Sequence, residues 1–196
     1  MLKRLFDFSL SLFGLIILLP ALFIISIGVF LTSKGGVLFS HRRVGRNEVD
    51  FYIYKFRTMH ANTDETSELT LGNLDPRITR FGRFLRKYKL DELPQLINVL
   101  IGDMSFVGPR PEVRKYVDSY TEEQLALLSV RPGITDYASI EYADEGEILG
   151  KASDPEKEYL EVVLPRKLEL GLKYVHERSF FTDISIILRT LGRLLA

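Results

Sequence analysis

No charged side chain interrupts residues 8–33, and Pro20 sits near the middle of that run. A helix of this length measures about 39 Å at ~1.5 Å per residue. That exceeds the ~30 Å hydrocarbon core of a bilayer, so length alone permits a membrane span. The flanks argue otherwise. Lys3 and Arg4 precede the run, and Lys34, Arg42, Arg43 and Arg46 follow it. Positive charge favours the cytoplasmic side, and a straight span cannot place both flanks there. Pro20 lacks an N–H and its ring clashes with the carbonyl of Ile16, which bends a helix. The run therefore reads as a bent, re-entrant hairpin that enters and leaves one leaflet on the same face, with a kinked span as the alternative. A cleaved signal peptide fits poorly, because the run exceeds the ~7–15 residues of a signal core and no small-x-small site precedes Lys34.

Setting aside residues 1–34 as the anchor leaves one globular domain at 35–179 and an amphipathic segment at 180–196, long enough for one real core. Lys plus Arg balances Asp plus Glu at 26 each, so no global field attracts nucleic acid. The distribution is uneven: basic residues dominate 34–89, and acidic residues are frequent over 112–161. The absence of Cys excludes disulfides and thiol chemistry. Three scattered His (His41, His60, His176) make a zinc site of the usual ligands improbable.

The fold class expected is α/β and mostly helical. Residues 37–40 and 50–56 are rich in Val, Phe, Tyr and Ile and read as strands, with 44–47 as the hairpin loop. Residues 60–75 read as a mobile loop. Residues 79–89 read as a basic helix, 91–100 as a second helix ended by Gly102, and 121–129 as a third. Pro132-Gly133 marks a turn before a short strand, and Pro165 suits the first turn of a helix reaching about Arg178. Over 180–195 the spacing of Phe181, Ile184, Ile187 or Leu188, Leu191 and Leu194 or Leu195 predicts an amphipathic helix. It would pack on the core or lie on a membrane surface.

Three segments carry candidate chemistry. Asp91 and Glu92 follow a basic helix and begin another. Such carboxylates suit a helix cap and first turn. They equally suit an ionised nucleophile that attacks phosphorus, or a hard-oxygen Mg²⁺ site. In residues 102–111, Pro109 and Pro111 fix the backbone around Arg110, whose planar fork of donors matches phosphate oxygens; a structural ion pair is the plainer reading. Lys55 and Arg57 share one face of a strand end, which alone would be a solvated face.

The string KFRTM, LDELPQL, GDMSFVGPRP and Arg131-Pro132-Gly133-Ile134-Thr135, in this order behind an apolar anchor, resembles the bacterial sugar transferases, specifically the small monotopic phosphoglycosyl transferases. The likeness covers residues 1–135 well and the rest loosely; GDMSFVGPRP is its most specific part. It implies Asp91 as nucleophile, Glu92 as its acidic partner near Mg²⁺, and Lys55, Arg86, Arg110 and Arg131 as residues handling the substrate. It implies a re-entrant membrane helix, surface amphipathic helices and a small α/β core on the cytoplasmic face of a bacterial inner membrane. The implied reaction moves a phospho-sugar from a UDP-sugar to polyprenyl phosphate, releasing UMP, by a ping-pong route through an aspartyl phospho-sugar; a homodimer is also allowed. The chain reads as the catalytic core without the multi-span region of larger relatives. It departs from the family at Leu19, where Ser is frequent, at residues 136–139, where Gly-Trp-Ala-Gln is frequent, and at Gly171, where Asp is frequent. Two other readings compete: a His phosphoryl acceptor, and a membrane-surface scaffold in which Asp91 and Glu92 only cap a helix.

Overall fold

The computed structural model describes residues 2–61 and 75–195. Most of the expected loop at 60–75 lies outside the described residues. The first element is a helix, α1 (Leu2–Thr32), assigned continuously through Pro20. It is the one helix among the described residues long and apolar enough to cross a membrane.

Both ends of α1 dock on the same globular body. At its start, Arg4 donates from Nη1 to the Val99 carbonyl at 2.5 Å and from Nη2 to the Leu100 carbonyl at 2.7 Å. These carbonyls belong to the last turn of a later helix and have no partner within it. Towards its end, Ile25 and Val29 are buried against Phe56 and Leu85, and the Ser33 hydroxyl donates to the Met59 carbonyl. The flanking cations thus do more than signal topology, since Arg4 caps a helix of the core. Along its length Phe13, Ile16, Leu19, Phe23 and Ile24 stay exposed.

Strands β1 (Leu38–Val44) and β2 (Asp50–Phe56) pair antiparallel, with Leu38 opposite Phe56 and Val44 opposite Asp50. The first strand runs four residues beyond the expected stretch, and the hairpin tip moves to residues 45–49, where Asn47 and Glu48 take positive φ. Phe51 and Ile53 point inward onto Val99 and Met104. Helix α2 (Arg80–Lys87) is capped by the Thr79 hydroxyl, which accepts from the Gly82 N–H.

The expected helix at 91–100 is split. A 3₁₀ turn occupies Leu90–Glu92, and α3 (Gln95–Ile101) starts only after Pro94. Pro94 has no N–H to continue a helical ladder from the turn before it. Gly102 ends α3 at φ 101°, a left-handed conformation that glycine adopts without steric cost. Asn98 stitches α3 to β2: its Oδ1 accepts from the Tyr54 N–H at 3.0 Å, and its Nδ2 donates to the Tyr52 carbonyl at 2.7 Å.

Strands β3 (Ser105–Val107) and β4 (Gly133–Thr135) form a separate parallel pair. Short helices α4 (Arg114–Val117), α5 (Glu122–Leu125), α6 (Tyr137–Glu141), α7 (Glu145–Lys151) and α8 (Pro155–Glu158) lead to α9 (Leu164–Glu177), with Pro165 in its first turn. The expected helix at 121–129 is α5 followed by a 3₁₀ turn at Ala126–Ser129. A core of Val113, Tyr116, Leu149, Tyr159, Val163 and Leu168 lies under this half.

The last helix, α10 (Phe180–Leu195), buries Asp183 and Ile186 against Val107 and Tyr174. Phe181, Leu188 and Leu191, three of the apolar positions in the expected stripe, point outward. Ile187, the other position the stripe allowed, packs inward with the buried Ile186, and Asp183 on that face pairs with Lys3 at 2.5 Å. Leu194 and Leu195 fall outside the described side chains.

Candidate active site

Lys89 adopts a left-handed conformation at φ 54°, which turns the chain sharply out of α2. The two carboxylates follow in a 3₁₀ turn. Neither caps a helix: the residues at the cap positions are Lys89 and Pro94, and neither cap is closed by a side-chain hydrogen bond. Asp91 is 7% exposed, and its Oδ1 is buried with no hydrogen-bond partner. Burial raises its carboxyl above the ordinary value; the charges of Lys55, Arg86 and Lys89 pull it down, and that of Glu92 pushes it further up.

Glu92 is held in the opposite way. Its Oε1 accepts from Lys55 Nζ at 2.6 Å and from Arg110 Nη2 at 2.9 Å. Burial works to raise this carboxyl, but the two cations outweigh it and hold the group far below the usual carboxylate range. Arg110 is raised in turn, chiefly by Glu92. Burial lowers Lys55, against the attraction of Glu92 and Asp91. A pair of charge-assisted bonds to one oxygen is strong and directional, so three elements converge here: the end of β2, the 3₁₀ turn and the loop after β3.

That loop is fixed by more than its prolines. The Arg110 N–H donates to Asp136 Oδ2 at 3.2 Å, and the Gly133 N–H donates to the Pro109 carbonyl at 3.1 Å. The backbones pack so closely here that a Cβ on Gly133 would enter the backbone of Gly108, and one on Gly108 would enter the Arg131 carbonyl. Behind the loop, buried Glu112 accepts from Lys167 Nζ and from the Tyr159 hydroxyl, each at 3.0 Å. Burial pushes the Glu112 carboxyl up, but Lys167 and Arg43 hold it below its ordinary value.

Arg86, in the last turn of α2, donates from Nε to Thr58 Oγ1 at 2.8 Å, and its charge acts on Asp91. Lys55, Arg86, Asp91, Glu92 and Arg110 are therefore brought together. Arg131 stands apart: its Nε donates to the Gly102 carbonyl at 2.7 Å, among Arg4, Asp7, Arg46 and Asp103. Arg57, on the Lys55 face, donates to the Gly36 carbonyl and lies over the Phe39 ring. Thr58, Asn98 and Gln95 escaped the sequence reading. Gln95, one turn beyond Asp91, is 1% exposed with an unpartnered Nε2. Its place within LDELPQL was the one available signal.

Among the described residues no three His, Cys, Asp or Glu side chains cluster as a self-sufficient metal cage. The two adjacent carboxylates, with the orphaned Asp91 Oδ1, nonetheless fit Mg²⁺, which commonly takes one or two carboxylates plus substrate phosphates and water.

A family model described as bacterial sugar transferase matches residues 1–196. An undecaprenyl-phosphate glucose phosphotransferase of Komagataeibacter xylinus is 37% identical over 198 residues, covering 97% of this chain and 35% of the relative. A UDP-glucose:undecaprenyl-phosphate glucose-1-phosphate transferase of Escherichia coli (strain K12) is 35% identical over 194 residues, covering 97% of this chain and 39% of the relative. A sugar transferase of Bacillus subtilis (strain 168), described as uncharacterised, is 39% identical over 198 residues, covering 99% of this chain and 87% of the relative. The chain thus spans well under half of the first two relatives.

Proposed function

The chain belongs to the bacterial sugar transferase family, and on that premise we propose that it transfers a phospho-sugar from a UDP-sugar to polyprenyl phosphate and releases UMP. The observation that carries this reading is the contrast between the two carboxylates: a buried oxygen of Asp91 without a partner beside a Glu92 saturated by Lys55 and Arg110. A free, desolvated carboxylate oxygen is a nucleophile; a doubly paired one is a scaffold for cations.

In the first half-reaction Asp91 attacks the phosphorus that carries the sugar. A carboxylate–phosphorus bond forms, the bridging P–O bond of the diphosphate breaks, and UMP departs with the electron pair. In the second, a phosphate oxygen of the lipid attacks the same phosphorus, and the Asp91 carboxylate leaves. Two displacements at one residue give ping-pong kinetics. Arg110, fixed by its backbone contacts to β4 and α6, offers donors to the equatorial oxygens as charge develops. Lys55 and Arg86 add positive potential around Asp91, which opposes the upward pull of burial on its carboxyl. Bound Mg²⁺ would be held by Asp91 and Glu92 and would neutralise the charge of the diphosphate.

The acceptor's phosphate lies at headgroup depth. The docking of both ends of α1 on one globular body supports a re-entrant anchor over a perpendicular span, because a domain at one end of a span could not touch the other end. The exposed Phe181, Leu188 and Leu191 of α10 and the exposed Phe84 and Tyr88 at the end of α2 support additional contacts with lipid. Lys34, Arg42 and Arg43 favour the cytoplasmic face.

The test is mass spectrometry after incubation with a panel of UDP-sugars, with and without Mg²⁺. A phospho-sugar on the peptide containing Asp91, with UMP released before any acceptor is added, is the expected result. UMP release that requires the acceptor, with no adduct, would sink the two-step route.

A further inference from the structure

Strand β3 carries the loop that ends in Arg110, and one of its edges is covered by β4. The remaining backbone groups find partners on helices. The Phe106 N–H donates to Asp7 Oδ1 at 3.2 Å. The Val107 carbonyl faces Lys3 Nζ at 3.0 Å and the Tyr174 hydroxyl at 3.1 Å. Tyr174 has one hydroxyl hydrogen, and Asp183 Oδ1 lies nearer at 2.7 Å, so the hydrogen serves the carboxylate and Lys3 serves Val107. Lys3 also pairs with Asp183 Oδ2.

Asp7 is 2% exposed in the opening turns of a helix that is otherwise built for hydrocarbon. A carboxylate buried there is costly unless it is hydrogen-bonded, and its bond goes to the strand three residues before Pro109. Beyond Val107 the path to Arg110 has no slack, given the tight packing of Gly108 against residues 131–133 and the fixed φ of Pro109. We propose that Asp7 and Lys3, in the first turns of the membrane anchor, are positioning residues that brace β3 and thereby set where the Arg110 guanidinium meets the donor's phosphates. The anchor then holds the reacting group in register as well as at depth. The catalytic part of this inference rests on the transferase reading above; the brace itself does not.

The test uses the full chain with Asp7→Ala, Asp7→Asn and Lys3→Met. Asn keeps an oxygen that accepts from the Phe106 N–H; Met keeps the length of Lys without its donors. Two readouts are taken: kcat/KM for the UDP-sugar, and amide hydrogen exchange over residues 105–111 without substrate. Asp7→Ala and Lys3→Met are expected to lower kcat/KM between about tenfold and a hundredfold, the scale of small misplacements in a site. They are also expected to speed exchange about tenfold. Asp7→Asn should stay within about threefold of wild type in both, since a hydrogen bond is retained. Exchange unchanged in Asp7→Ala and in Lys3→Met would overturn the brace. Faster exchange with undiminished kcat/KM would overturn its link to Arg110. An equal loss in Asp7→Asn would overturn the hydrogen bond as its basis. Wild-type enzyme silent towards every donor would sink the transferase reading, while exchange still decides the brace.

Discussion

Asp91 and Glu92 are neighbours in a single 3₁₀ turn, yet Oε1 of Glu92 takes bonds from Lys55 at 2.6 Å and Arg110 at 2.9 Å while Oδ1 of Asp91 is buried without one. β2 and the Arg110 loop supply hydrogen-bonding cations to Glu92, while Asp91 feels the charge of Lys55, Arg86 and Lys89 without a bond to its Oδ1.

Asp91→Asn removes the carboxylate charge of the proposed nucleophile and leaves the shape of the side chain. UMP release from the donor should fall by about a thousandfold or more, as for nucleophiles in other two-step enzymes, and the adduct should vanish. A UMP-coupled assay measures the first and peptide mass spectrometry the second. Turnover near wild type would remove Asp91 from the chemistry.

The same variant should be more stable than wild type at neutral pH. Burial raises the Asp91 carboxyl above 3.8, so the fold favours the protonated form. The favourable contribution is present below 3.8 and is lost as pH rises through the raised value. Asn is neutral throughout, so its advantage should be largest at neutral pH and should fade as acid protonates the wild-type carboxyl. Denaturation midpoints in detergent across that range are the measurement. Glu92 runs the other way. Held below 4.5, it stabilises above that value and loses its contribution as pH falls towards its depressed one.

Glu92→Gln leaves Lys55 and Arg110 facing each other without their shared anion. The side chains are 15%, 23% and 34% exposed, so solvent softens the repulsion, and a loss of about 2 kcal/mol is expected. The urea midpoint checks it. A midpoint unmoved would mean that the cations separate freely, and that the turn is not what holds them.

With Asp91 as the proposed nucleophile, the acid limb of the pH–rate profile should report its ionisation. Lys55→Met removes a charge that lowers this carboxyl, so the limb should move to higher pH; Glu92→Gln removes one that raises it, so the limb should move lower. The two shifts have opposite signs, which separates them from general damage to the site. Movement in the same direction would contradict the electrostatic assignment.

Cysteines introduced singly at Leu2 and at Ser40, both exposed positions in a chain without native cysteine, should react with an impermeant maleimide from the same side of sealed vesicles. Pro20→Leu restores the helical N–H and relieves the ring clash, so it should increase the fraction in which the two positions face opposite sides. Opposite labelling in the wild type would remove the re-entrant reading.

Much of this architecture was legible in the residues. The apolar run, the basic helix at α2, the Gly102 stop and the Pro165 start are local signals, and each appears within a few residues of its expected place. The split at Pro94 was written in the sequence too, since proline has no N–H to continue a helical ladder. What could not be read is the set of contacts across distance. Glu92 and Arg110 are eighteen positions apart, Lys55 and Glu92 thirty-seven, and Lys3 and Asp183 one hundred and eighty. No periodicity encodes such pairs. The outward turn of Phe181, Leu188 and Leu191 had the same cause: α10 is held by Ile186 and Ile187 in the core and by Asp183 on Lys3, and the Asp183 pair is one a hydrophobic stripe leaves out.

The docking of α1 also bears on any attempt to make a water-soluble form of this protein. Trimming away residues 2–32 would leave the Val99 and Leu100 carbonyls without Arg4, bare the Phe56–Leu85 cluster that Ile25 and Val29 cover, and cut Asp7 from Phe106. Truncation would therefore yield a damaged domain. The workable route is to repaint the outward side chains, such as Phe13, Ile16, Phe23 and Ile24, with polar ones while keeping every inward residue of the helix in place.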